Sequence, residues 1–302
     1  MTHQPAATTA SDGLSGFPEE WARRVVAVAL EEDLGPQGLD VTTLATIPAD
    51  QERVAEVVAR APGVVAGIPV VELVLAAVAE RLDLPTPTVE VLADDGARVV
   101  RGDVLARVEG RTQVILVAER TMLNVVSRLS GVATHTRRWA DALEGTTTMV
   151  LDTRKTTPGL RWLEKYAVRC GGGTNKRMGL YDVAMIKDNH KLAAGSVAAA
   201  YALVRERFPD VDVQVEVTTP AEAREAYDAG ARFVMCDNMT VPVLAETVAL
   251  LRAAGEPVEI EATGGMTLEV ARDYAETGVD FISVGGLTHS SPIVDIALDL
   301  AD

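Results

Sequence analysis

Residues 145–290 alternate short apolar runs with Ala-rich stretches of helical character. The apolar runs recur at intervals of roughly 20–35 residues, which is typical of repeated βα units in a parallel sheet. The runs are MVLDT at 149–153, VAMIK at 183–187, VQVEV at 213–217, FVMCD at 233–237, VEIEATGG at 258–265 and FISVGG at 281–286. These six runs are fewer than the eight strands of a closed barrel. We therefore expect an incomplete parallel α/β barrel, with an open doubly wound sheet as the alternative.

The first half of the chain follows a different pattern. Residues 17–34 and 68–84 have helical character, and the first of these stretches places acidic side chains in its first turn, where they suit the helix dipole. Short β runs lie at 53–67, 88–93 and 103–110. Residues 112–129 predict a long helix that breaks at Gly131 and continues up to residue 144. Together these elements predict a small α/β layer that precedes the barrel.

The apolar runs of the second half end in polar and charged residues. These residues are Asp152 with Arg154, Lys187, Glu216, Asp237, Glu261 with Thr263, and Gly285. In a barrel of parallel strands the C-terminal strand ends open onto one face, and that face holds the active site. We therefore expect these residues to meet at one mouth.

Charge is distributed unevenly along the chain. The 302 residues carry a formal net charge of −16, yet residues 151–191 hold nine basic side chains against four acidic ones. Because like charges repel, a local basic excess in an acidic protein is best explained by a polyanionic ligand. A solvated basic face is the alternative, but Pro158 and the glycines at 171–173 interrupt the spacing that a helical face requires.

Composition excludes several classes of protein. The net charge of −16 opposes non-specific binding to nucleic acid or to an anionic membrane. No uncharged apolar run approaches the roughly 20 residues of a spanning helix. Residues 1–16 have the composition of a flexible tail and not of a signal peptide, so we expect a cytoplasmic protein. Cys170, Cys236 and four dispersed histidines indicate neither a disulfide framework nor a zinc site, and each cysteine is expected to be a buried thiol.

Glycine pairs follow the last two apolar runs, at Gly264-Gly265 and at Gly285-Gly286. Backbone N–H groups after a strand, together with a following helix N-terminus, can cradle a phosphate. A single glycine pair more often marks a tight turn, but two such loops on the last two strands match the phosphate position of many barrels. The sequence therefore predicts a phosphate cradle at these loops.

Two carboxylates, Glu216 and Asp237, end neighbouring predicted strands. They can hold ribose hydroxyls or a Mg²⁺ ion, because magnesium binds through one or two carboxylates plus substrate phosphates. Structural ion pairs with the basic cluster are the alternative. Neither a Ser/His/Asp set nor a Cys/His set accompanies them. The combination favours a reaction run by positioning and electrostatics on a polyphosphorylated sugar.

The chain resembles the quinolinate phosphoribosyltransferase family in several motifs, which follow the family's order from about residue 17 to the C-terminus. The motifs are TRKTTPGLRWLEKYAVRCGGG, NKRMGLYDVAMIKDNH, VEVTT, CDNM, EATGG and SVGGLTHS. The resemblance implies a phosphoribosyltransferase that uses Mg²⁺ to join quinolinate to phosphoribosyl diphosphate. The products would be nicotinate mononucleotide for NAD synthesis, diphosphate and CO₂.

The resemblance also implies an N-terminal open-faced α/β sandwich followed by an incomplete, TIM-like parallel α/β barrel. We expect the sandwich over residues 17–123, joined by residues 291–302, and the catalytic barrel over residues 124–290. Residues 1–16 would form a disordered tail. The family forms homodimers with shared active sites, so a homodimer or a higher oligomer is implied.

Roles are assigned by the same resemblance. The quinolinate carboxylates would be bound by Arg154, Lys176, Arg177 and Lys187, together with Arg120 of the partner subunit. The groups at the reacting centre would be Lys155 and Lys187 on the diphosphate, and Glu216 and Asp237 on the ribose and, directly or indirectly, on Mg²⁺. The 5′-phosphate end would meet Thr263, Gly264, Gly265, Gly285, Gly286 and His289. Planar arginines suit a dicarboxylate and lysine point charges suit a diphosphate, which agrees with this division.

One position departs from the family pattern. Lys176 precedes Arg177 where the family usually has a histidine, so a permanent cation replaces a neutral or switchable donor. Our hypothesis is that Lys176 contacts a substrate carboxylate. The departure leaves open a same-fold enzyme acting on another anionic base, such as the pyrophosphorylase-like proteins found with molybdate transport. A non-catalytic phosphate-ligand sensor is the other alternative, but it would be expected to have lost Lys155, Glu216 or Asp237. Nicotinate suits the site less well than quinolinate, because one carboxylate needs fewer cations.

Overall fold

The computed structural model describes residues 16–301, which divide into two compact units. The antiparallel-sheet unit comprises residues 16–137, 156–172 and 287–301, and the parallel-sheet unit comprises residues 138–155 and 173–286. Apart from Gly16, the predicted tail over residues 1–16 lies outside the described residues. The predicted domain limits, 17–123 with 291–302 and 124–290, follow a different grouping and remain a prediction.

Helices and strands of the described residues are numbered in chain order. The α-helices are α1 (Glu19–Leu34), α2 (Val41–Thr46), α3 (Pro69–Leu82), α4 (Thr112–Ala142), α5 (Arg161–Cys170), α6 (Asp188–Ala194), α7 (Val197–Arg207), α8 (Pro220–Asp228), α9 (Val241–Arg252), α10 (Ala271–Ala275) and α11 (Gly286–His289). The strands are β1 (Glu52–Ala59), β2 (Gly63–Val64), β3 (Thr88–Val91), β4 (Arg98–Val99), β5 (Val104–Arg111), β6 (Met149–Leu151), β7 (Val183–Ile186), β8 (Asp212–Val217), β9 (Phe233–Asp237), β10 (Glu259–Thr263), β11 (Phe281–Ser283) and β12 (Ile296–Leu300). A 3₁₀ turn, Leu268–Val270, precedes α10.

The antiparallel sheet has the strand order β12-β1-β5-β3. Strand β1 pairs antiparallel with both β5 and β12, so a C-terminal strand completes a sheet that starts near the N-terminus. Helices α1 and α3 bury aliphatic side chains such as Leu30 and Leu75 completely. Both helices were predicted, and α1 ends at the predicted stop, where Gly35 adopts a φ of 60°. Left-handed backbone of this kind favours glycine.

Helix α4 runs without interruption from Thr112 to Ala142, so the predicted break at Gly131 is wrong. Glycine stands at this position because the backbone of the antiparallel-sheet unit passes very close. A Cβ atom at residue 131 would lie 2.1 Å from the carbonyl oxygen of Pro292. Glycine inside a helix lowers its stability by about 1 kcal/mol relative to alanine, and here that loss permits a close approach of two chain segments.

The parallel sheet has the strand order β6-β11-β10-β9-β8-β7, and every neighbouring pair is parallel. All six predicted strands are therefore confirmed. The order runs round a ring, with the first strand beside the last, and does not reverse as it does in a doubly wound sheet. Strands β6 and β7 do not pair directly, and only an isolated bridge, Leu151 to Thr174, lies at the gap within the described chain. This is the incomplete barrel that the sequence predicts.

A small apolar cluster fills the inner face of the parallel sheet. It contains Leu151, Phe233, Met235 and Phe281, and the two phenylalanine rings stack at 5.7 Å between centroids. Met235 of this cluster also lines the cavity at the C-terminal strand ends, so the cluster gives that cavity an apolar base. None of the helices in residues 16–301 has the length and apolar composition needed to cross a membrane.

Candidate active site

A cavity of about 550 Å³ opens at the C-terminal ends of the parallel strands. Five basic side chains line it: Arg154, Lys155, Lys176, Arg177 and Lys187. All five belong to the basic stretch of the sequence and were predicted to be site residues. Three further cations of the stretch, Arg161, Lys165 and Arg169, lie on α5 in the antiparallel-sheet unit and do not line this cavity.

Asp152 fixes the backbone that carries the cations. Its carboxylate is fully buried just after β6, where it accepts hydrogen bonds from the backbone N of Lys176 (2.8 Å) and from the side-chain amide of Asn175 (2.7 Å). Hydrogen bonds to a buried carboxylate are stronger than those between neutral groups, and leaving one unmade is costly. The loop that presents Lys176 and Arg177 is therefore tied to the end of the first barrel strand.

Arg154 and Arg177 form a pair of neighbouring guanidinium groups. Burial, and then the positive charge of Arg154, lower the pKa of Arg177 below its usual value, while Asp182 opposes this shift. Arg177 donates to the carbonyl oxygen of Val183 (3.1 Å), and the buried Nε of Arg154 has no hydrogen-bond partner within the described residues. Two adjacent cations with unused donors favour a bound anion, and a planar carboxylate fits guanidinium geometry best.

Lys187 and Glu216 form an ion pair of 2.6 Å at the ends of β7 and β8. The Lys187 side chain is half exposed and Glu216 is buried. The backbone N of Lys187 donates to Nδ1 of His190, which orders the start of α6. The sequence left open an ion pair between a strand-end carboxylate and the basic cluster. The structure shows such a pair at Glu216.

Asp237 lies at the end of β9, beside an asparagine that was not predicted to take part. The side-chain amide of Asn238 donates to Asp237 (2.9 Å), and its backbone adopts a φ of 53°, in the left-handed region that asparagine tolerates. Its Oδ1 accepts a long hydrogen bond, 3.4 Å, from the backbone N of Gly265. The sequence signal was present in CDNM, since an asparagine directly after a strand end often makes a tight turn.

The predicted phosphate loop after β10 lines the same cavity. Thr263, Gly264, Gly265 and Gly285 all face it. Gly264 has a φ of 127°, and a Cβ atom there would lie 2.6 Å from Oδ1 of Asn238. A larger residue at position 264 would therefore be strained and would displace Asn238. Gly286 begins the four-residue helix α11 directly after Gly285.

Two predicted site residues belong to the antiparallel-sheet unit. Arg120 lies on α4 with an exposed side chain, and its guanidinium pairs with Glu119 at 3.1 Å. His289 ends α11 and shares a short hydrogen bond with the hydroxyl of Ser290, 2.7 Å. The cavity at the strand ends is built entirely from the parallel-sheet unit, and the proposed roles of Arg120 and His289 remain predictions.

Lys176 has a partner that the sequence did not predict. Its ammonium lies 2.5 Å from Oε2 of Glu261, 3.3 Å from the sulfur of Met235 and 5.6 Å from the centroid of the Phe233 ring. The Lys176 side chain is 6% exposed and Glu261 is fully buried. Burial lowers the pKa of Lys176, and Glu261 opposes that shift. The hypothesis that Lys176 contacts a substrate carboxylate remains a prediction.

The carboxylates of the cavity are too few to hold a metal ion without oxygen atoms from a bound substrate. Among residues 16–301 no three His, Cys, Asp or Glu side chains converge as a metal site. Glu216 and Asp237 nevertheless both line the cavity. One or two carboxylates are what magnesium uses when substrate phosphates complete its shell, so these residues fit Mg²⁺ and do not fit a metal held by the protein alone.

Both cysteines lie apart from the cavity lining. Cys236 is buried as predicted, whereas Cys170 is only partly buried. Burial raises the pKa of Cys236 to about 12 and that of Cys170 to about 11. Because only the thiolate is a strong nucleophile, neither cysteine is suited to covalent catalysis.

Comparisons with known proteins agree with the motifs. A family model described as the C-terminal domain of quinolinate phosphoribosyl transferase matches residues 132–299, and the model of the N-terminal domain matches residues 40–130. The nicotinate-nucleotide pyrophosphorylase [carboxylating] of Mycobacterium leprae is 45% identical over 95% of this chain and 100% of its own length. A chloroplastic relative of the same name in Arabidopsis thaliana is 41% identical, over 92% of this chain and 82% of its own.

A solved structure agrees with the whole architecture. The nicotinate-nucleotide pyrophosphorylase of Francisella tularensis superimposes with a TM-score of 0.88 at 33% identity, covering 95% of this chain and 99% of the other. The similarity extends over both units and is not confined to the barrel.

Proposed function

This chain belongs to the quinolinate phosphoribosyltransferase family, and we propose that its strand-end cavity carries out the family's reaction on quinolinate itself. In this reaction a phosphoribosyl group passes from phosphoribosyl diphosphate to the ring nitrogen of quinolinate. Diphosphate and CO₂ leave, and nicotinate mononucleotide is formed for NAD synthesis. The chain is thus a decarboxylating pentosyltransferase.

The observation that carries the choice of substrate is the arginine pair. Arg154 and Arg177 lie side by side in the cavity, and neither forms an ion pair with a carboxylate of the described residues. Quinolinate carries two negative charges, which balance the two guanidinium charges within the cavity as a whole. Nicotinate carries one negative charge and would leave one positive charge unbalanced. This charge arithmetic favours quinolinate over nicotinate.

Phosphoribosyl diphosphate would lie across the remaining lining. The loop at Thr263 to Gly265 offers a hydroxyl and backbone N–H groups to its 5′-phosphate, and Gly285 provides close backbone approach on the next strand. Lys155 and Lys187 would contact the diphosphate, where point charges suit non-planar oxygens. For Lys187 this requires sharing the ammonium with Glu216, its present partner.

Charge development explains the catalytic roles that we propose. As diphosphate leaves, the sugar C1′ becomes cationic and the leaving oxygens become more anionic. Lys155 stabilises the oxygens, while Glu216 and Asp237 stabilise the sugar cation and hold its hydroxyls. Each well-placed group of this kind contributes a factor on the order of 10²–10³ in rate. This chemistry needs no covalent intermediate, and neither a histidine nor a cysteine of the described residues lines the cavity to activate a nucleophile.

Glu216 and Asp237 would hold Mg²⁺ together with substrate oxygens. When bound there, the ion supplies positive charge to the departing diphosphate. We therefore propose that activity requires Mg²⁺ and that the ion binds to Glu216 and Asp237 only together with the phosphorylated substrate.

We also propose a homodimer in which Arg120 of the partner subunit joins the quinolinate site. The parallel-sheet unit exposes apolar side chains beside β7, including Leu180 (74% exposed) and Leu203 (58%). They border a groove of about 680 Å³ that Arg154 and Arg177 also line. A second copy of the chain seated there would cover the apolar side chains and bring new residues to the arginines.

Complementation tests this arrangement. Arg120→Ala and Lys155→Ala variants are each expected to be inactive, and a mixture that exchanges subunits is expected to recover part of the activity. No recovery from a mixture proven to form hybrid dimers would exclude shared sites.

The cytoplasmic location expected from the sequence remains a prediction, since some relatives are named as chloroplastic or mitochondrial.

The function is tested by offering phosphoribosyl diphosphate and Mg²⁺ with quinolinate or with nicotinate in separate reactions. Nucleotide and CO₂ in equal amounts, from quinolinate alone, are the expected result. Nucleotide from nicotinate but not from quinolinate would refute the substrate assignment. No product from either base, with protein that is folded and dimeric, would direct the search to other anionic bases.

A further inference from the structure

The Lys176–Glu261 pair differs from the other basic groups of the cavity. Its two side chains are almost entirely buried, and their charged atoms lie 2.5 Å apart. The Oε1 atom of Glu261 is also buried, and it has no hydrogen-bond partner within the described residues. Both residues nevertheless line the cavity. The pair is therefore a compensated ion pair at the floor of a site that is otherwise strongly basic.

A compensated ammonium is a poor holder of a carboxylate. Glu261 already offsets the charge of Lys176, so an incoming carboxylate would meet a pair with no net charge and would be attracted less strongly than by an unpaired ammonium. Within residues 16–301, neither Arg154 nor Arg177 forms an ion pair of this kind, although the charge of Asp182 acts on Arg177 from a greater distance. The cavity thus has one region built to hold anionic charge and one region where anionic charge is not stabilised.

Decarboxylation requires a region of the second kind. The departing carboxylate is charged in the bound substrate and becomes neutral CO₂, so a cation fixed on it stabilises the substrate more than the transition state and slows the step. The neutral, apolar surroundings given by Met235 and the Phe233 ring favour loss of that charge. The carboxylate that remains in the product keeps its charge throughout, so a cation bound to it does not slow the step. We therefore place this carboxylate at the arginines.

The step also requires a proton. When the bond from C2 to the carboxylate breaks, its electron pair stays on C2, where the cationic ring nitrogen stabilises it, and CO₂ departs. A C2–H bond must then form to give the product. If an ammonium gives that proton, its nitrogen becomes a neutral amine, which water reprotonates after the product leaves. No oxidant or further reactant is needed for the balance.

We propose that Lys176, held in place by Glu261, faces the departing C2 carboxylate and donates the proton that replaces it. The inference rests on the proposed function, because it needs quinolinate as the substrate. It makes Lys176 a catalytic acid of the second half of the reaction and Glu261 its positioning residue. The reversed alternative, in which Lys176 grips a carboxylate, makes different kinetic predictions.

The surroundings of Lys176 suit an acid. Burial lowers its pKa, as do the charges of Lys187 and Arg177, while Glu261 raises it. The ammonium is approached by Glu261 from β10, by Met235 and Phe233 from β9, and by the charge of Lys187 from the end of β7. A lowered pKa brings an ammonium closer to the working pH, where acid catalysis is efficient.

The test separates the two halves of the reaction in a single turnover with Mg²⁺, by following diphosphate and CO₂ independently. In the unchanged enzyme the two products are expected to appear together. Lys176→Arg keeps the positive charge beside Glu261 but cannot release a proton near neutral pH. In this variant a stoichiometric burst of diphosphate is expected, followed by CO₂ slowed by roughly 10²-fold or more. Mass spectrometry should detect a mononucleotide that still carries both carboxylates.

Lys176→His is the matched control, since histidine can donate a proton and is the residue usual in the family. It is expected to fold and to keep diphosphate and CO₂ release coupled, with a pH profile displaced to lower pH. Glu261→Gln removes the carboxylate that raises the Lys176 pKa, so Lys176 should lose its proton more readily and CO₂ release should slow, while quinolinate KM changes little. A Lys176→Arg enzyme that releases both products together at the rate of the unchanged enzyme would overturn the proposal.

If Lys176 were only a carboxylate ligand, these variants would change quinolinate KM and would slow diphosphate and CO₂ equally. That outcome would also refute the proposal. Failure of the proposed function is distinguishable, because it would appear in the unchanged enzyme as no reaction with quinolinate. Should Lys176→Arg not fold, the Lys176→His pH profile and the Glu261→Gln split between KM and CO₂ release decide the question.

Discussion

The two ends of the parallel sheet each carry a cavity lined with arginines, but the two cavities differ in whether those arginines are paired with carboxylates. The cavity at the N-terminal strand ends is the larger, about 740 Å³ against about 550 Å³. There Arg252 pairs with Asp280 at 2.8 Å, and Arg232 pairs with Glu256. At the C-terminal ends, Arg154 and Arg177 form no ion pair with a carboxylate of the described residues, and the charge of Arg154 helps to lower the pKa of Arg177. Under the proposed function, the substrate site is thus the smaller cavity, and its arginines are the ones without a paired carboxylate among the described residues.

The largest effect expected from this contrast follows removal of an unpaired arginine. Arg177→Ala should lower kcat/KM for quinolinate by roughly 10²-fold or more, since a charged hydrogen-bonded partner of a ligand is worth about 2–5 kcal/mol. Arg232→Ala, at the opposite end of the sheet, is the matched control and should leave the kinetics unchanged. Initial rates with quinolinate varied at saturating phosphoribosyl diphosphate decide the matter. Equal losses in both variants would contradict the contrast.

A smaller effect is expected from the glycine loops at the two ends. Gly264→Ala introduces strain at a φ of 127° and pushes against Asn238, so the KM for phosphoribosyl diphosphate should rise about 10-fold, the equivalent of about 1.4 kcal/mol. Gly255 also has a positive φ, 104°, but its Cβ position is open. Gly255→Ala should therefore lower thermal stability slightly and leave that KM unaffected. A similar KM for both variants would remove Gly264 from the phosphate site.

The N-terminal cavity should respond to pH through stability and not through activity. Burial, followed by the charges of Asp280 and Asp212, raises the pKa of Glu259 to about 7 from 4.5. Between these values the folded chain keeps a proton that the unfolded chain has lost, so stability declines as the pH rises through this window. Glu259→Gln does not ionise and should melt a few degrees above the unchanged protein at pH 8, but at the same temperature near pH 5.

Activity of Glu259→Gln at saturating substrate is expected to match that of the unchanged enzyme, because Glu259 lines the N-terminal cavity and not the cavity at the C-terminal strand ends. A melting difference that is the same at both pH values would show that packing and not ionisation of Glu259 is responsible.

The smallest effect concerns the thiols, which neither cavity uses. With pKa values of about 11 for Cys170 and about 12 for Cys236, both cysteines remain protonated at neutral pH. Iodoacetamide at pH 7.5 is therefore expected to leave activity unchanged during a time that fully alkylates the unfolded chain. Rapid inactivation with modification of Cys236 would contradict the buried position of that thiol.

Local patterns in the sequence were sufficient for the barrel. Each parallel strand is a short apolar run, and the residue that ends it is adjacent in sequence, so Glu216, Asp237 and Thr263 could be placed at one face before any coordinates. The prediction of a helix break at Gly131 was wrong for a non-local reason. Glycine is required there by the close approach of the Pro292 backbone and not by the residues next to it in sequence. Propensity describes a residue in its own segment and does not report which distant backbone passes beside it.

The charges of the site show the same limit. Composition predicted a basic cluster, but the sequence could not separate Lys165, buried on α5, from Lys176 at the cavity floor. Nor could it pair Lys176 with Glu261, because the two are joined only when β10 comes to lie beside the loop after α5. Which cation is compensated depends on tertiary geometry, and that property separates substrate holding from proton donation in our proposal.

The buried carboxylate of Asp152 has a consequence for the thermodynamics of binding. By accepting hydrogen bonds from the side-chain amide of Asn175 and the backbone N–H of Lys176, it orders the cation-bearing loop through contacts within the protein. Loss of backbone freedom, about 1–2 kcal/mol per residue, is then incurred during folding and need not be incurred again when the dianion arrives. Binding of a dianion by the arginines then avoids the additional entropy cost of ordering their loop, although the gap between β6 and β7 leaves that side of the barrel without a strand partner among the described residues.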